Sequence, residues 1–234
     1  MTSGKRKAFE LTATQSDSGL LIKESGGFLP NFCPNRHINM GGYFCLGFEI
    51  EAVLNHHKNS LSKPIDILDL GTGSGCIAIT LAEEFKNSYV SAVDKSAEAL
   101  KMAAQNAKRI GVSNIAFFEG SWYEPFMTTH ADENNKFDII VSNPPYIDPN
   151  DPHLAGLTDE PISALIADNK GMADICHIVK TAPQFLQPHG LLAIEHGYDQ
   201  GEQVRGIFLS NGFDEVITVK DYGDNERVTL GVLN

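Results

Sequence analysis

A chain of 234 residues suits one domain, or one domain with an extension. Its formal net charge of −12 disfavours a binder of free nucleic acid, which relies mainly on basic contacts to phosphate. There is no long apolar run to span a membrane, and no apolar segment follows the basic Lys5-Arg6-Lys7 to make a secretory signal. Cys33, Cys45, Cys76 and Cys176 lack metal-site spacing, and a reducing cytoplasm is the simplest setting for them.

Residues 1–47 read as an irregular extension, punctuated by Gly26-Gly27, Pro30, Pro34 and Gly41-Gly42, with neither helical nor strand periodicity. Lys5-Arg6-Lys7 reads as a solvated charge run. A helix is expected over residues 48–57. Residues 65–70 form a short apolar strand that runs into Gly71-Thr72-Gly73-Ser74-Gly75 and then a helix from Cys76 to about Phe85. Strand, glycine turn and helix is the context of a nucleotide-type cofactor loop, since glycines permit positive φ and close approach of a ligand. The loop lacks the Gly-Lys-Ser/Thr ending of a triphosphate site, and its G-x-G-x-G spacing differs from the dinucleotide fingerprint. Asp69, just before it, would attract a cationic ligand and repel a pyrophosphate. The next strand, residues 89–94, ends in Asp94, which can bind the two hydroxyls of a ribose. Adenosine with a sulfonium and an amino-acid tail fits all three features, so S-adenosylmethionine is favoured over NAD.

Ser96 is the predicted N-cap of a helix over residues 97–110, with Gly111 as its C-cap. A strand at residues 115–118 follows, and residues 128–136 read as a polar loop. The strand at residues 137–142 ends in Asn143-Pro144-Pro145-Tyr146. Proline fixes φ and donates no N–H, which leaves the carbonyls of Asn143 and Pro144 free to accept hydrogen bonds. Asn143 adds an acceptor and two donors, and Tyr146 a flat face with a polar tip. Such a turn suits a planar nitrogen carrying N–H groups, as in an amide or a nucleobase amine. Residues 147–169 read as a functional flap. A helix over residues 174–186, a strand at 191–195 and a helix over 201–210 come next. Two final strands, 215–219 and 227–232, join through a turn at residues 221–225 and form an antiparallel pair. The predicted fold is α/β, a Rossmann-like, mainly parallel sheet with an antiparallel C-terminal strand pair.

Residues 67–75, Asp94, Trp122, Asn143 to Tyr146 and the tail Asp221-Tyr222-Gly223-Asp224-Asn225-Glu226-Arg227-Val228 together resemble the peptide chain release factor N5-glutamine methyltransferases, a family of class I S-adenosylmethionine-dependent enzymes. Glu160-Pro161-Ile162-Ser163-Ala164-Leu165 and Gly171-Met172-Ala173-Asp174 point to the same branch. The resemblance runs from about residue 50 to 231, and sets a methyltransferase domain at 48–234 after an extension without the family's N-terminal helical domain. It implies a cofactor on Gly71, Thr72, Gly73, Ser74 and Gly75, with Asp94 on the ribose, Trp122 over the adenine and Asn143 beside the methyl group. It also implies that Asn143, Pro144, Pro145 and Tyr146 hold a release-factor glutamine. The family's Arg-Pro-Glu/Asp-Thr-Glu segment has its nearest equivalent in Gly47-Phe48-Glu49-Ile50-Glu51, which keeps the two acids.

The chemistry expected is orientation of a weakly nucleophilic amide nitrogen by Asn143 and the Pro144 carbonyl, with Tyr146 beside them. No metal is expected, and His153, His177 and His196 read as structural or solvated. The expected partner is a release factor met by a cytoplasmic monomer. Two other readings stay open: an adenine-N6 nucleic-acid methyltransferase using the same motif, and an inactive domain that only binds cofactor.

Overall fold

A computed structural model describes residues 12–16, 19–24, 27–28, 49–56, 63–127, 136–146, 172–221 and 223–234. The flap at 147–169, the segment 160–165, the loop at 128–135, Lys5-Arg6-Lys7, His153, Cys33 and Cys45 lie outside the described residues. The chain divides into two units, Met1–Ile38 and Asn39–Asn234.

In the first unit, strands β1 (Thr12–Ser16), β2 (Gly19–Glu24) and β3 (Gly27–Phe28) make an antiparallel sheet in that order. Thr12 pairs with Lys23, Ser16 with Gly19, and Lys23 with Phe28. This differs from the irregular chain expected of residues 1–47. Strand β1 was hidden because its sequence, Thr-Ala-Thr-Gln-Ser, carries no alternating apolar face, and a strand without one is weakly specified by its pattern.

The second unit holds a seven-stranded sheet in the order β6-β5-β4-β7-β8-β10-β9. Its strands are β4 (Asp66–Leu70), β5 (Tyr89–Asp94), β6 (Ile115–Glu119), β7 (Phe137–Ser142), β8 (Leu186–Glu195), β9 (Phe213–Lys220) and β10 (Glu226–Leu233). The first five pair in parallel, while β10 runs antiparallel to both β8 and β9. A mainly parallel sheet with a terminal hairpin is the architecture expected of this sequence.

The helices are α1 (residues 49–56), α2 (Cys76–Glu84), α3 (Ala97–Ile110), the short α4 (Glu124–Met127), α5 (Ala173–Thr181) and α6 (Gly201–Ser210). Local chemistry explains their ends. Ser96 accepts a hydrogen bond from the Ala99 amide at 3.2 Å, and Gly111 closes α3 at φ 89°, in the left-handed region that favours glycine. The helix expected over 174–186 stops at Thr181 and tightens into a 3-10 turn at Ala182–Gln184. Pro183 has no N–H to continue the helical ladder. No described helix is long and apolar enough to cross a membrane.

Both faces of the sheet are covered, which is why its central strands read as continuous apolar runs. On one face Leu68, Leu70, Ile140, Leu192 and Ile194 pack with Ile175, Ile178 and Val179 of α5 and Val204 and Phe208 of α6. On the other, Ile67, Ile139, Val141 and Ala193 pack with Ile77, Ala78, Leu81 and Ala82 of α2 and with Ala52 and Val53 of α1. Alternation along β4, β7 and β8 splits each run between the two faces. Sheet and helices together fix the carboxyl ends of β4, β7 and β8 side by side.

Candidate active site

Strand order reverses between β4 and β7: from β4 the chain proceeds to β5 and β6 on one side, then returns to β7 on the other. The carboxyl ends of strands flanking such a switch point form the crevice where open α/β sheets bind ligands. Leu70 pairs with Ser142 across these two strands. The glycine loop and the Asn-Pro-Pro-Tyr turn therefore leave the sheet next to each other, and the Ser142 hydroxyl donates to the Leu70 carbonyl at 2.8 Å to tie the two exits.

On the glycine-loop side, Gly71, Gly73 and Gly75 all have positive φ, at 74°, 54° and 83°. At Gly75 a β-carbon would stand 2.8 Å from Ile79 Cδ1 and 2.9 Å from Ala103 Cβ, so the loop, α2 and α3 meet too closely for a side chain. The amides of Gly71 and Thr72 both donate to the Val93 carbonyl at 2.9 Å. Asp94, at the end of β5, accepts from the Gly73 amide at 2.8 Å and from the Ser96 amide at 2.8 Å. Its carboxylate thus sets the loop's height, and each oxygen keeps a lone pair for a further donor. Trp122, with φ 51°, lays its indole against the loop: a β-carbon at Gly71 would sit 3.3 Å from Trp122 Cζ3. The short α4, which sequence pattern did not signal, follows Trp122 directly.

Asp69 is fully buried beneath this loop. Its Oδ2 accepts from the Thr72 hydroxyl at 2.7 Å and the Ala78 amide at 3.2 Å, while Oδ1 has no hydrogen-bond partner among the described residues. Burial pushes its carboxyl up to about 7, against the pull of the Thr72 and Ala78 hydrogen bonds.

On the other side, Asn143, Pro145 and Tyr146 are half-buried and Pro144 is buried. The Tyr146 hydroxyl donates to Glu195 Oε1 at 3.1 Å, and Gln200 Nε2 donates to the Tyr146 carbonyl at 3.1 Å. The Gly197 amide donates to Gln200 Oε1 at 2.8 Å, so the loop after β8 braces the turn. At the other end the Ser142 amide donates to Glu49 Oε1 at 3.2 Å. Burial, and then the nearby Glu195 and Asp69, hold the Glu49 carboxyl well above the usual carboxylate range.

The sequence-derived site residues gather at neighbouring strand ends: Gly71 to Gly75 with Asp94 and Trp122 after β4, and Asn143 to Tyr146 after the adjacent β7. Pattern reading missed Glu195, Gln200 and the inward role of Glu49. Glu195 carried a usable signal, since it ends an apolar strand in an acid just as Asp94 does. Glu49 was seen only as one of two acids retained in a motif. Gln200 carried none.

The tail motif turns out to be a brace. Asp221 accepts from the amides of Gly223 and Asn225 at 2.8 and 3.0 Å and from Arg227 Nε at 3.0 Å. The Arg227 carbonyl in turn accepts from the His196 amide at 2.9 Å, which links the β9–β10 hairpin to the end of β8. His196 is fully buried, with Nε2 2.8 Å from Thr229 Oγ1, and burial holds its imidazole below its ordinary value. It serves the scaffold, as the sequence suggested.

Comparison with known proteins adds to this geometry. A family model described as "Methyltransferase domain" matches residues 61–217, and one described as "Prokaryotic E2 domain" matches residues 1–63, too little of the chain to assign a family. The release factor glutamine methyltransferase of Salmonella typhimurium is 47% identical over 171 residues, covering 72% of this chain and 60% of that protein. Its counterpart in Vibrio cholerae is 48% identical over 168 residues, covering 71% and 57%. The chain thus spans about 60% of the length of the curated relatives it matches. Among solved structures, human methyltransferase-like protein 13 in complex with SAH aligns with a TM-score of 0.58 at 17% identity, covering 82% of each chain. That likeness speaks for the fold alone.

Proposed function

This chain belongs to the methyltransferase-domain family, and from that premise we propose that it transfers a methyl group from S-adenosylmethionine to the side-chain amide nitrogen of the glutamine in the Gly-Gly-Gln motif of peptide chain release factors. The observation that carries the reading is the pairing of Leu70 with Ser142, which sets a glycine loop and an Asn-Pro-Pro-Tyr turn side by side at the switch point. The similarity to release factor glutamine methyltransferases supports the choice of acceptor.

The residues present fit the cofactor. A fully buried carboxylate oxygen, Asp69 Oδ1, lacks a partner among the described residues and suits a cationic ligand. The glycine loop admits close approach, Asp94 keeps acceptor capacity for ribose hydroxyls, and the Trp122 indole offers an adenine a flat surface beside Gly71. Thr72 and Ser74 complete the loop, with Thr72 spent on Asp69. When bound, S-adenosylmethionine supplies an electrophilic methyl group on a positively charged sulfur.

The protein's own task is to present an amide nitrogen whose lone pair is delocalised into its carbonyl. The Asn143 side-chain oxygen and the Pro144 carbonyl accept the two amide protons, which shifts electron density toward nitrogen and aims it across the crevice. Pro145 keeps the turn rigid, and Tyr146 packs along the flat face of the amide. Orientation of this kind lowers a barrier by about 7–11 kcal/mol in favourable cases. The nitrogen would gain the methyl group as the bond from sulfur breaks, and, acidified by methylation, would then lose one proton to water. A release factor as substrate would be met in the cytoplasm.

The test is transfer of labelled methyl groups with a release factor, ribosomal RNA and duplex DNA offered side by side. Label entering the release factor alone is the expected result. Label in adenine would keep the site and overturn the acceptor, and label in none of the three would leave a cofactor-binding domain.

A further inference from the structure

Glu49 and Glu195 do work that neither sequence pattern nor family similarity assigns to them. Both are fully or almost fully buried, at 0% and 1% exposed, and they come from elements far apart in the chain, α1 and the end of β8. Each contacts one end of the same four-residue turn. Glu49 Oε1 accepts from the amide of Ser142, the residue before Asn143, and Glu195 Oε1 accepts from the hydroxyl of Tyr146, the last residue of the turn.

The arrangement is a poor choice for stability. Buried carboxyl groups are costly, and well-packed apolar residues of similar volume are often equally or more stabilising. Here the cost is compounded, because Glu49, Glu195 and Asp69 disfavour one another's charge, and Glu49 Oε2 has no hydrogen-bond partner among the described residues. What the two groups gain is geometric. Between Ser142 and Tyr146 the two prolines offer no amide hydrogen, so the turn cannot be pinned through their own N–H groups. At its ends the Ser142 amide and the Tyr146 hydroxyl are each taken by a glutamate.

We infer that Glu49 and Glu195 are positioning residues that clamp the two ends of the Asn143–Tyr146 turn and so fix the acceptor amide in line with the methyl group. The inference rests on the proposed function for the identity of the acceptor. The clamp itself is a property of the turn and is testable without it.

The experiment uses the full chain with Glu49→Leu, Glu195→Leu, Glu49→Gln and Glu195→Gln. The leucine variants fill the space without an acceptor, and the glutamine variants keep the acceptor oxygen without the charge. With a release factor as substrate, each leucine variant is expected to lower kcat about 10–100-fold, the scale of a misplaced reactive group. Affinity for S-adenosylhomocysteine by calorimetry and thermal stability should both be maintained in these variants. Each glutamine variant should stay within about threefold of the parent in kcat, since its bond to the turn survives. Leucine variants with unchanged kcat would overturn the inference. So would leucine variants that unfold or lose stability in step with activity, because that is the mark of a structural role alone. Glutamine variants as slow as leucine variants would show that charge matters rather than the clamp, and would overturn it too.

If the parent methylates no release factor, the proposed function fails and NMR decides the clamp. The Asn143 side-chain amide and the Tyr146 ring should each give one sharp set of signals in the parent and glutamine variants. They should shift or broaden in the leucine variants, and identical spectra in all five proteins would overturn it.

Discussion

The glycine loop after β4 is held by its own neighbourhood, while the Asn-Pro-Pro-Tyr turn after β7 is held from a distance. Asp69 bonds residues three and nine positions on, and Asp94 bonds Gly73 across 21 positions from the adjacent strand. The turn instead takes bonds spanning 93 positions to Glu49, 49 to Glu195 and 54 to Gln200. One side leans on its own strand–loop–helix unit and on β5 and α3, the elements that follow it directly. The other depends on α1, β8 and the loop after β8 all being in place. On the proposed function, the loop is a cofactor side that can recur on many chains, whereas the turn is where one chain is fitted to its own substrate.

The largest expected effect would break the local side outright. Gly75→Val adds a β-branched side chain at φ 83° where even a β-carbon meets Ile79 and Ala103 below 3.0 Å. Strain and overpacking together should cost about 2–6 kcal/mol, a large fraction of a typical folding stability. Urea denaturation measures it, and a midpoint like the parent's would show that loop and helices do not lock together there.

Asp69 gives the next effect. Its folded-state carboxyl lies near 7, against about 3.9 in an unfolded chain. Between those values the native state keeps a proton that the unfolded state has released, so stability falls as pH rises from about 4 to about 7 and then levels off. The raised Glu49 contributes with the same sign. Asp69→Asn should flatten this fall by roughly 4 kcal/mol, read as the difference between the two proteins' stabilities across the window. Parallel curves would remove Asp69 from the account.

Asp94→Ala should weaken S-adenosylhomocysteine binding by about 1.5–3 kcal/mol in calorimetry, the worth of a hydrogen bond to a charged group. Unchanged affinity would take the ribose away from Asp94. The smallest effect sharpens the distant side. Gln200→Ala removes one bond to the Tyr146 carbonyl and should lower turnover roughly five- to tenfold, about 1 kcal/mol, with cofactor affinity unaltered. If cofactor binding weakened instead, the two sides of the crevice would not be separable.

The same contrast explains what could be read from the sequence. The boundaries of β5, α3 and β7 match expectation because short apolar runs with polar ends, the Ser96 cap and Gly111 are local signals. The mainly parallel sheet with its antiparallel terminal pair followed from alternation of strands and helices, and the nearness of the loop and the turn from two motifs at strand ends. Strand β1 was not legible because it lacks an apolar face, and the early end of α5 turned on one proline. Glu49, Glu195 and Gln200 were not legible as partners of the turn because no local pattern encodes a contact across 49 to 93 positions.

On the proposed function, Asn143 and its turn present a glutamine amide to the methyl group. Tandem mass spectrometry of the Gly-Gly-Gln peptide, after single turnover of a release factor by the parent and by Asn143→Ala, tests it most directly. The account predicts one added methyl group on the glutamine side chain with the parent. It predicts at least about a hundredfold less with Asn143→Ala, whose cofactor affinity should stay near the parent's because the lost contact is to the reacting group. Full methylation of the glutamine by Asn143→Ala would contradict it.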